Sequence, residues 1–149
     1  MRPRGWLSRY LHTERTRRLL IEEGFDYHMD DYSDDLPFWD HVDGRPILVV
    51  PYALDTNDMK LWTSASYTPE NWLNYAKDTF DVLYAEGVDR LRMMSLGVHL
   101  RVIGRPGRIS YLQRFLEYAL SKPDVWIATR LEMAQHFARV CPAACETGD

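Results

Sequence analysis

Hydrophobic positions in this chain alternate between helical spacing and short unbroken runs, a rhythm that predicts strands followed by helices. Thr13 can cap a helix over 13–23, with Leu19 and Leu20 on its apolar side and Gly24 as its stop. Residues 25–30, FDYHMD, alternate bulky and polar groups as a strand does, then run into the acidic, turn-rich stretch DDYSDD. Residues 46–52, PILVVPY, are apolar and β-branched, and Pro51 must sit at the end of that strand or at a bulge because it has no N–H for a ladder. Thr68 and Pro69 open a longer helix, one as cap and the other preorganised for the first helical position. Trp72, Leu73, Ala76, Phe80 and Leu83 make its buried stripe, and Gly87 ends it.

Residues 93–100 are again mostly apolar and predict a buried strand, with His99 near its end and an arginine- and glycine-rich loop after it. The next helix should run from 106 or 107 to 122 and bury Ile109, Leu112, Phe115, Leu116, Ala119 and Leu120. Residues 125–128, VWIA, read as a last short strand. Thr129 and Glu132 then form a capping-box pattern opening a helix with Leu131, Ala134, Phe137 and Ala138 on its stripe. Strands alternating with helices in this way predict an α/β fold of βα units around a parallel sheet or partial barrel. Four strands are expected and residues 5–9 would add a fifth, whereas a complete barrel of eight such units takes about 250 residues. The expected organisation is one domain over 1–140 followed by a flexible tail at 141–149.

Composition narrows the class. A chain of 149 residues with 46% hydrophobic and 27% charged residues is an ordinary globular protein. The 15 arginines and 3 lysines are outweighed by 22 carboxylates, leaving a net charge of −4, so no nucleic acid or other polyanion is expected as a partner. The opening MRPRGWLSRY lacks the apolar core of a secretion signal, and the longest near-apolar stretch, 47–54, is too short to span a membrane. A soluble, cytoplasmic protein is the expectation. Cys141 and Cys145 stand without a surrounding ligand pattern, and no metal site is expected from them.

Ligands of α/β proteins collect beyond the carboxyl ends of parallel strands, where loops and helix N-termini converge. His99 and the loop behind it occupy such a place, although a core histidine bonded to backbone would look the same in sequence. Asp30, Asp34 and Asp35 gather at the end of another strand, where they serve either a site or the turn itself. Arg101 and Arg105 could bind an anionic or carbonyl-rich ligand through paired hydrogen bonds, or lie in a solvated loop or subunit contact.

Three stretches, GWLSRY near the start, DYSDDLPFW followed by VVPYALDTNDM, and RMMSLGVHLRVIGRPGR, resemble in order and spacing the later motifs of the polysaccharide deacetylase-like (NodB-homology) hydrolases. The branch containing the cofactor-independent allantoinases is the nearest likeness, and the resemblance covers the chain to about Phe137. It implies the C-terminal half of a deformed (β/α) barrel and hydrolysis of an amide-like C–N bond, in an N-acetylated sugar or a small ureide. It implies His99 as general acid toward the leaving nitrogen, oriented by a carboxylate for which Asp30 is the first candidate and Asp34 and Asp35 the others. Arg9 stands where metal-dependent members carry an arginine that positions the catalytic aspartate, Trp6 would line the same groove, and Trp39 resembles the aromatic wall after the acidic motif, with Arg101 and Arg105 as further candidates for contact with substrate. Asn57 and Asp58 resemble a signature of the branch to which no role is attached. The family's first motifs, which bring a general-base aspartate and, in metal-dependent members, an Asp-His-His ligand set, have no counterpart here. No cofactor is therefore expected in this chain, and a divalent metal only if those ligands lie upstream.

Two functions follow from that resemblance. The first is the C-terminal part of a deacetylase- or allantoinase-like hydrolase, truncated, split between two genes or mis-started. The second is a catalytically incomplete binding or assembly subunit, whose open sheet edge would drive it to a homo-oligomer or onto a missing N-terminal half.

Overall fold

The computed structural model describes residues 2–8 and 12–143. They divide into two compact units, one formed by the chain through Tyr52 together with the stretch from Ile127 onward, the other by Ala53–Trp126.

The first unit is built on a four-stranded sheet of β1 (Gly5–Trp6), β2 (Tyr27–His28), β3 (Phe38–Val42) and β4 (Arg45–Val49), in the order β1-β2-β4-β3. β1 and β4 flank β2 in parallel, with Trp6 opposite His28 and His28 opposite Val49. Helix α1 (Glu14–Glu22) supplies the crossover. Its cap residue Thr13 donates its amide to Thr16 Oγ1 at 3.0 Å, and the amides of Gly24 and Phe25 return to the carbonyls of Ile21 and Leu20. Ile47, Leu48, Val49 and Val50 are buried without a break, as a strand covered on both faces requires.

Strand β3 was not expected. It pairs antiparallel with β4 through a two-residue turn, Asp43 at φ 52° and Gly44 at φ 70°, so the sheet is mixed. Positive φ at both central positions is the backbone twist that closes a tight hairpin, and an Asp-Gly pair adopts it readily.

The second unit is helical. α2 (Lys60–Thr63) is one turn, α3 (Pro69–Glu86) follows Thr68, and α4 (Pro106–Leu120) packs against α3. Thr68 and Asn71 cap α3 reciprocally, each side-chain oxygen accepting the other's amide. Between the helices lie Leu61, Trp72, Leu73, Ala76, Phe80, Val102, Ile103, Phe115 and Ala119. Phe80 meets Phe115 edge-on at 6.3 Å, and Phe115 meets Trp72 at 6.2 Å. The buried face of α4 is rotated from the predicted one, because Tyr111 and Tyr118 join Leu112 against this core while Ile109, Leu116 and Leu120 are exposed. A tyrosine can lay its ring on a core and keep its hydroxyl at the edge, as Tyr118 does by donating to Asp81 at 2.6 Å, and a count of apolar letters misses this.

Two predicted strands form no ladder among the described residues. Residues 93–100 run extended and half-buried, with Val98 and Leu100 exposed, and residues 125–128 leave Trp126 and Ile127 exposed. The last helix, α5 (Arg130–Val140), starts at Thr129 with the predicted capping box, Thr129 Oγ1 accepting from the Glu132 amide at 3.3 Å.

Phe115 sits at the centre of the aromatic group that joins α3 to α4. Phe115→Ala should cost about 3–5 kcal/mol of unfolding free energy in a urea titration, and a loss below about 1 kcal/mol would mean that this core does not hold the unit together.

Candidate active site

The stretch 93–100, which pairs with no strand among the described residues, is held by a loop. Thr56 Oγ1 donates to the carbonyl of Ser95 at 2.6 Å, and the amide of Asp58 donates to the carbonyl of Gly97 at 2.9 Å. The Asp58 carboxylate closes the arrangement. Its Oδ2 accepts the amides of His99 at 2.9 Å and Ile103 at 3.1 Å, and its Oδ1 lies 2.7 Å from His99 Nδ1. Beyond His99 the chain turns at once, with the amides of Val102 and Ile103 reaching the His99 carbonyl. A Cβ on Gly104 would stand 2.3 Å from the Leu100 carbonyl oxygen, so only glycine lets that turn close. Val102 and Ile103 then drop into the core, fixing the backbone on the far side of His99.

This geometry decides the chemistry of the imidazole. Asp58 is fully buried and its carboxylate can only accept, so His99 Nδ1 carries a hydrogen and Nε2 is the nitrogen left to act. The His99 side chain is 30% exposed, and Nε2 makes no hydrogen bond among the described residues. An oriented histidine backed by a buried carboxylate and open at its other nitrogen can give or take one proton at that atom. Among the described residues the carboxylate on His99 Nδ1 is that of Asp58.

Asp30 belongs to the first unit, at the carboxyl end of β2. It is buried. Its Oδ1 accepts the Ser8 amide at 2.7 Å, its backbone carbonyl lies 2.7 Å from His12 Nδ1, and its Oδ2 has no hydrogen-bond partner among the described residues. Beside it Arg17 acts as a hub, with Nε donating to His28 Nε2 at 3.2 Å, one terminal nitrogen pairing with Asp31 at 2.7 Å and the other with Asp40. Burial, reinforced by the Arg17 charge, pushes the His28 imidazole down to about 4.

The other expected site residues take the following places. Trp6 is 43% exposed, edge-on to Phe25, and donates its indole N–H to Ser8 Oγ at 3.0 Å. Arg9 lies outside the described residues. Asp34 accepts the Leu36 amide at 3.0 Å in a local turn, and Asp35 is exposed beside it. Trp39 donates its indole N–H to the Cys141 carbonyl at 2.7 Å. Arg101 and Arg105 are exposed in the loop after His99 and belong to the same unit as the His99–Asp58 pair. Asp58 carried only a motif likeness in the sequence. Among the described residues, no group of three or more His, Cys, Asp or Glu is placed to hold a metal ion, and no helix is long and apolar enough to cross a membrane.

No family model matches the chain. In sequence it is 37% identical, over 94% of its own length and 49% of the other's, to a Schizosaccharomyces pombe protein provisionally named a polysaccharide deacetylase. In structure it aligns with the Puue allantoinase at a TM-score of 0.88 and 46% identity, covering 96% of this chain and 48% of that one. A protein from Pseudomonas aeruginosa PAO1, provisionally named a polysaccharide deacetylase, aligns at a TM-score of 0.87 and 46% identity, over 96% of this chain and 49% of that one. The chain therefore spans about half the length of the relatives it matches, as half of such an α/β domain would.

His28 makes stability depend on acid. The unfolded chain protonates this imidazole near 6.5, whereas the folded one does so only near 4, with Arg17 and His12 opposing the charge and Asp30 and Asp31 favouring it. Between those values the unfolded state binds more protons, so stability is complete above about pH 6.5 and falls as pH drops toward 4, by on the order of 3 kcal/mol for this group. Urea midpoints measured from pH 7 to pH 4 should fall less steeply in His28→Gln than in the parent, and parallel curves would remove His28 as the source.

Proposed function

We propose that this chain, which resembles the polysaccharide deacetylase-like proteins in sequence and fold and spans about half their length, carries the proton-donating part of a hydrolase site for non-peptide C–N bonds. The His99–Asp58 pair carries the reading. An amine leaves poorly unless it is protonated as the C–N bond breaks. Protonated His99 would give its Nε2 proton to the leaving nitrogen and become a neutral imidazole whose Nδ1–H stays on Asp58. The buried carboxylate holds one ring orientation through the transfer.

The substrate would be a small ureide or an N-acetylated sugar, with Arg101 and Arg105 near enough in sequence to His99 to contact its carbonyl or anionic groups. Attack by water needs a base, and the residues of this chain that resemble the family's motifs supply none. The proposal assigns that step, and any divalent metal, to a polypeptide corresponding to the remaining half of the relatives' length. A reducing, cytoplasmic setting belongs to the same proposal.

Complementation tests this directly. The chain would be mixed with the other half of the aligned allantoinase, and release of the leaving nitrogen from a ureide and from an N-acetylated sugar would be followed. Turnover should appear only in the mixture. His99→Ala should then lower kcat by about 10²–10⁴-fold and Asp58→Asn by a comparable factor, with circular dichroism unchanged. Retained turnover in folded His99→Ala would remove the acid assignment, and turnover by the chain alone would remove the need for a second half.

A further inference from the structure

The geometry points to Thr56 as a positioning residue for His99, acting through the Ser95 carbonyl two steps before Asp58 takes hold. In its bearing on catalysis this rests on the proton-donor reading above; in its bearing on the imidazole it stands on geometry alone.

The stretch carrying His99 pairs with no strand among the described residues, yet its carbonyls and amides are met at alternate residues. Thr56 Oγ1 takes the Ser95 carbonyl, the Asp58 amide takes the Gly97 carbonyl, and Asp58 Oδ2 takes the His99 amide. The loop 56–58 thus performs the work of a neighbouring strand, using side-chain oxygens for the first and third ties. Thr56 is the end of this lacing away from His99, and it is itself anchored. Trp72 Nε1, from within α3, donates to the Thr56 carbonyl at 3.2 Å, and both residues are buried. Trp72 also belongs to the core that takes up Val102 and Ile103, so both sides of His99 are referred to one rigid group.

Without the Thr56 hydroxyl the Ser95 carbonyl, in a part-buried place, loses this tie to the loop. The stretch 95–97 can then shift against 56–58, and the shift falls on the geometry between Asp58 Oδ1 and His99 Nδ1. A displacement well short of 1 Å suffices to matter, because a hydrogen bond of 2.7 Å between a ring and a carboxylate weakens steeply with distance and angle.

Thr56→Val keeps the shape and removes the hydroxyl, while Thr56→Ser keeps the hydroxyl and removes a methyl. In the full chain, labelled at histidine, exchange of the His99 Nδ1 proton with water should speed up about tenfold in Thr56→Val and remain at the parental rate in Thr56→Ser. In the complemented assembly kcat should fall about tenfold with KM within about twofold, again restored by serine. Trp72→Phe, which removes the indole N–H and keeps an aromatic ring, gives the same exchange readout if Thr56→Val does not fold. Parental exchange of the His99 proton in folded Thr56→Val, or in Trp72→Phe where that is the variant read, would overturn the proposal. Because proton exchange is read without turnover, a failed hydrolysis assay leaves this outcome distinct.

Discussion

A carboxylate taken fully out of water must be met by donors on nearly every lone pair, and Asp58 is such a carboxylate. Two backbone amides and one imidazole N–H meet it, and all three come from the stretch 99–103. The requirement works in both directions. His99 has its ring orientation and tautomer settled by Asp58, and Asp58 tolerates burial because the chain turns sharply enough after His99 to present the Ile103 amide to the same oxygen. That turn depends on Gly104, and its reward is the burial of Val102 and Ile103 in the core between α3 and α4. The site and the core of this unit are consequently one construction, since loosening either leaves a buried charge without its partners.

The first unit solves a related problem with a cation at its centre. Arg17 presents a planar fork of donors, and three acceptors, His28 of β2, Asp31 just beyond it and Asp40 of β3, converge on it. Arg17 comes from α1, His28 from β2 and Asp40 from β3, so the guanidinium ties the crossover helix to the sheet it crosses. His28 can serve there only as a neutral acceptor, because a protonated ring would face the guanidinium with like charge. This explains why burial and Arg17 push its titration in the same direction.

How much of this was legible in the sequence varied with the kind of force involved. Helix starts were legible residue by residue, because Thr13, Thr68 and Thr129 announce them by local chemistry that no distant contact alters. The unbroken apolar run in β4 was legible for a similar reason. Residues 93–100 misled because an apolar run reports burial, and not which hydrogen-bond partners the backbone will find. Here a threonine hydroxyl and an aspartate supply them, and both lie about forty residues earlier in the chain. β3 was missed although Asp43-Gly44 signals a tight hairpin, because its strand, FWDHV, has an irregular mixture of charged and aromatic residues and no clean alternation. His99 was found from its position at the end of an apolar run, whereas its carboxylate was sought in the most acidic stretch. Asp34 instead serves a local amide, as turn aspartates commonly do, Asp35 stands exposed, and Asp30 lies buried on the amide of Ser8, whereas the carboxylate on His99 came from a loop with a single inward-facing aspartate.

The separation of proton donation from water attack gives the proposed half-site its physical sense. Hydrolysis of a C–N bond needs a proton delivered to nitrogen and a proton removed from water, and these happen on opposite sides of the reacting carbon. The groups for one task need not share a secondary-structure element, or even a polypeptide, with the groups for the other. Each task does need its own rigid frame, since an acid that wanders by an ångström loses most of its advantage. The His99–Asp58 pair has that frame entirely inside one compact unit, from the Trp72 indole through Thr56 to the turn that Gly104 closes. A pair so fully braced is ready to donate before any partner arrives. Under the proposal, most of the rate would still wait on water being activated elsewhere, because members of a catalytic constellation act as a unit.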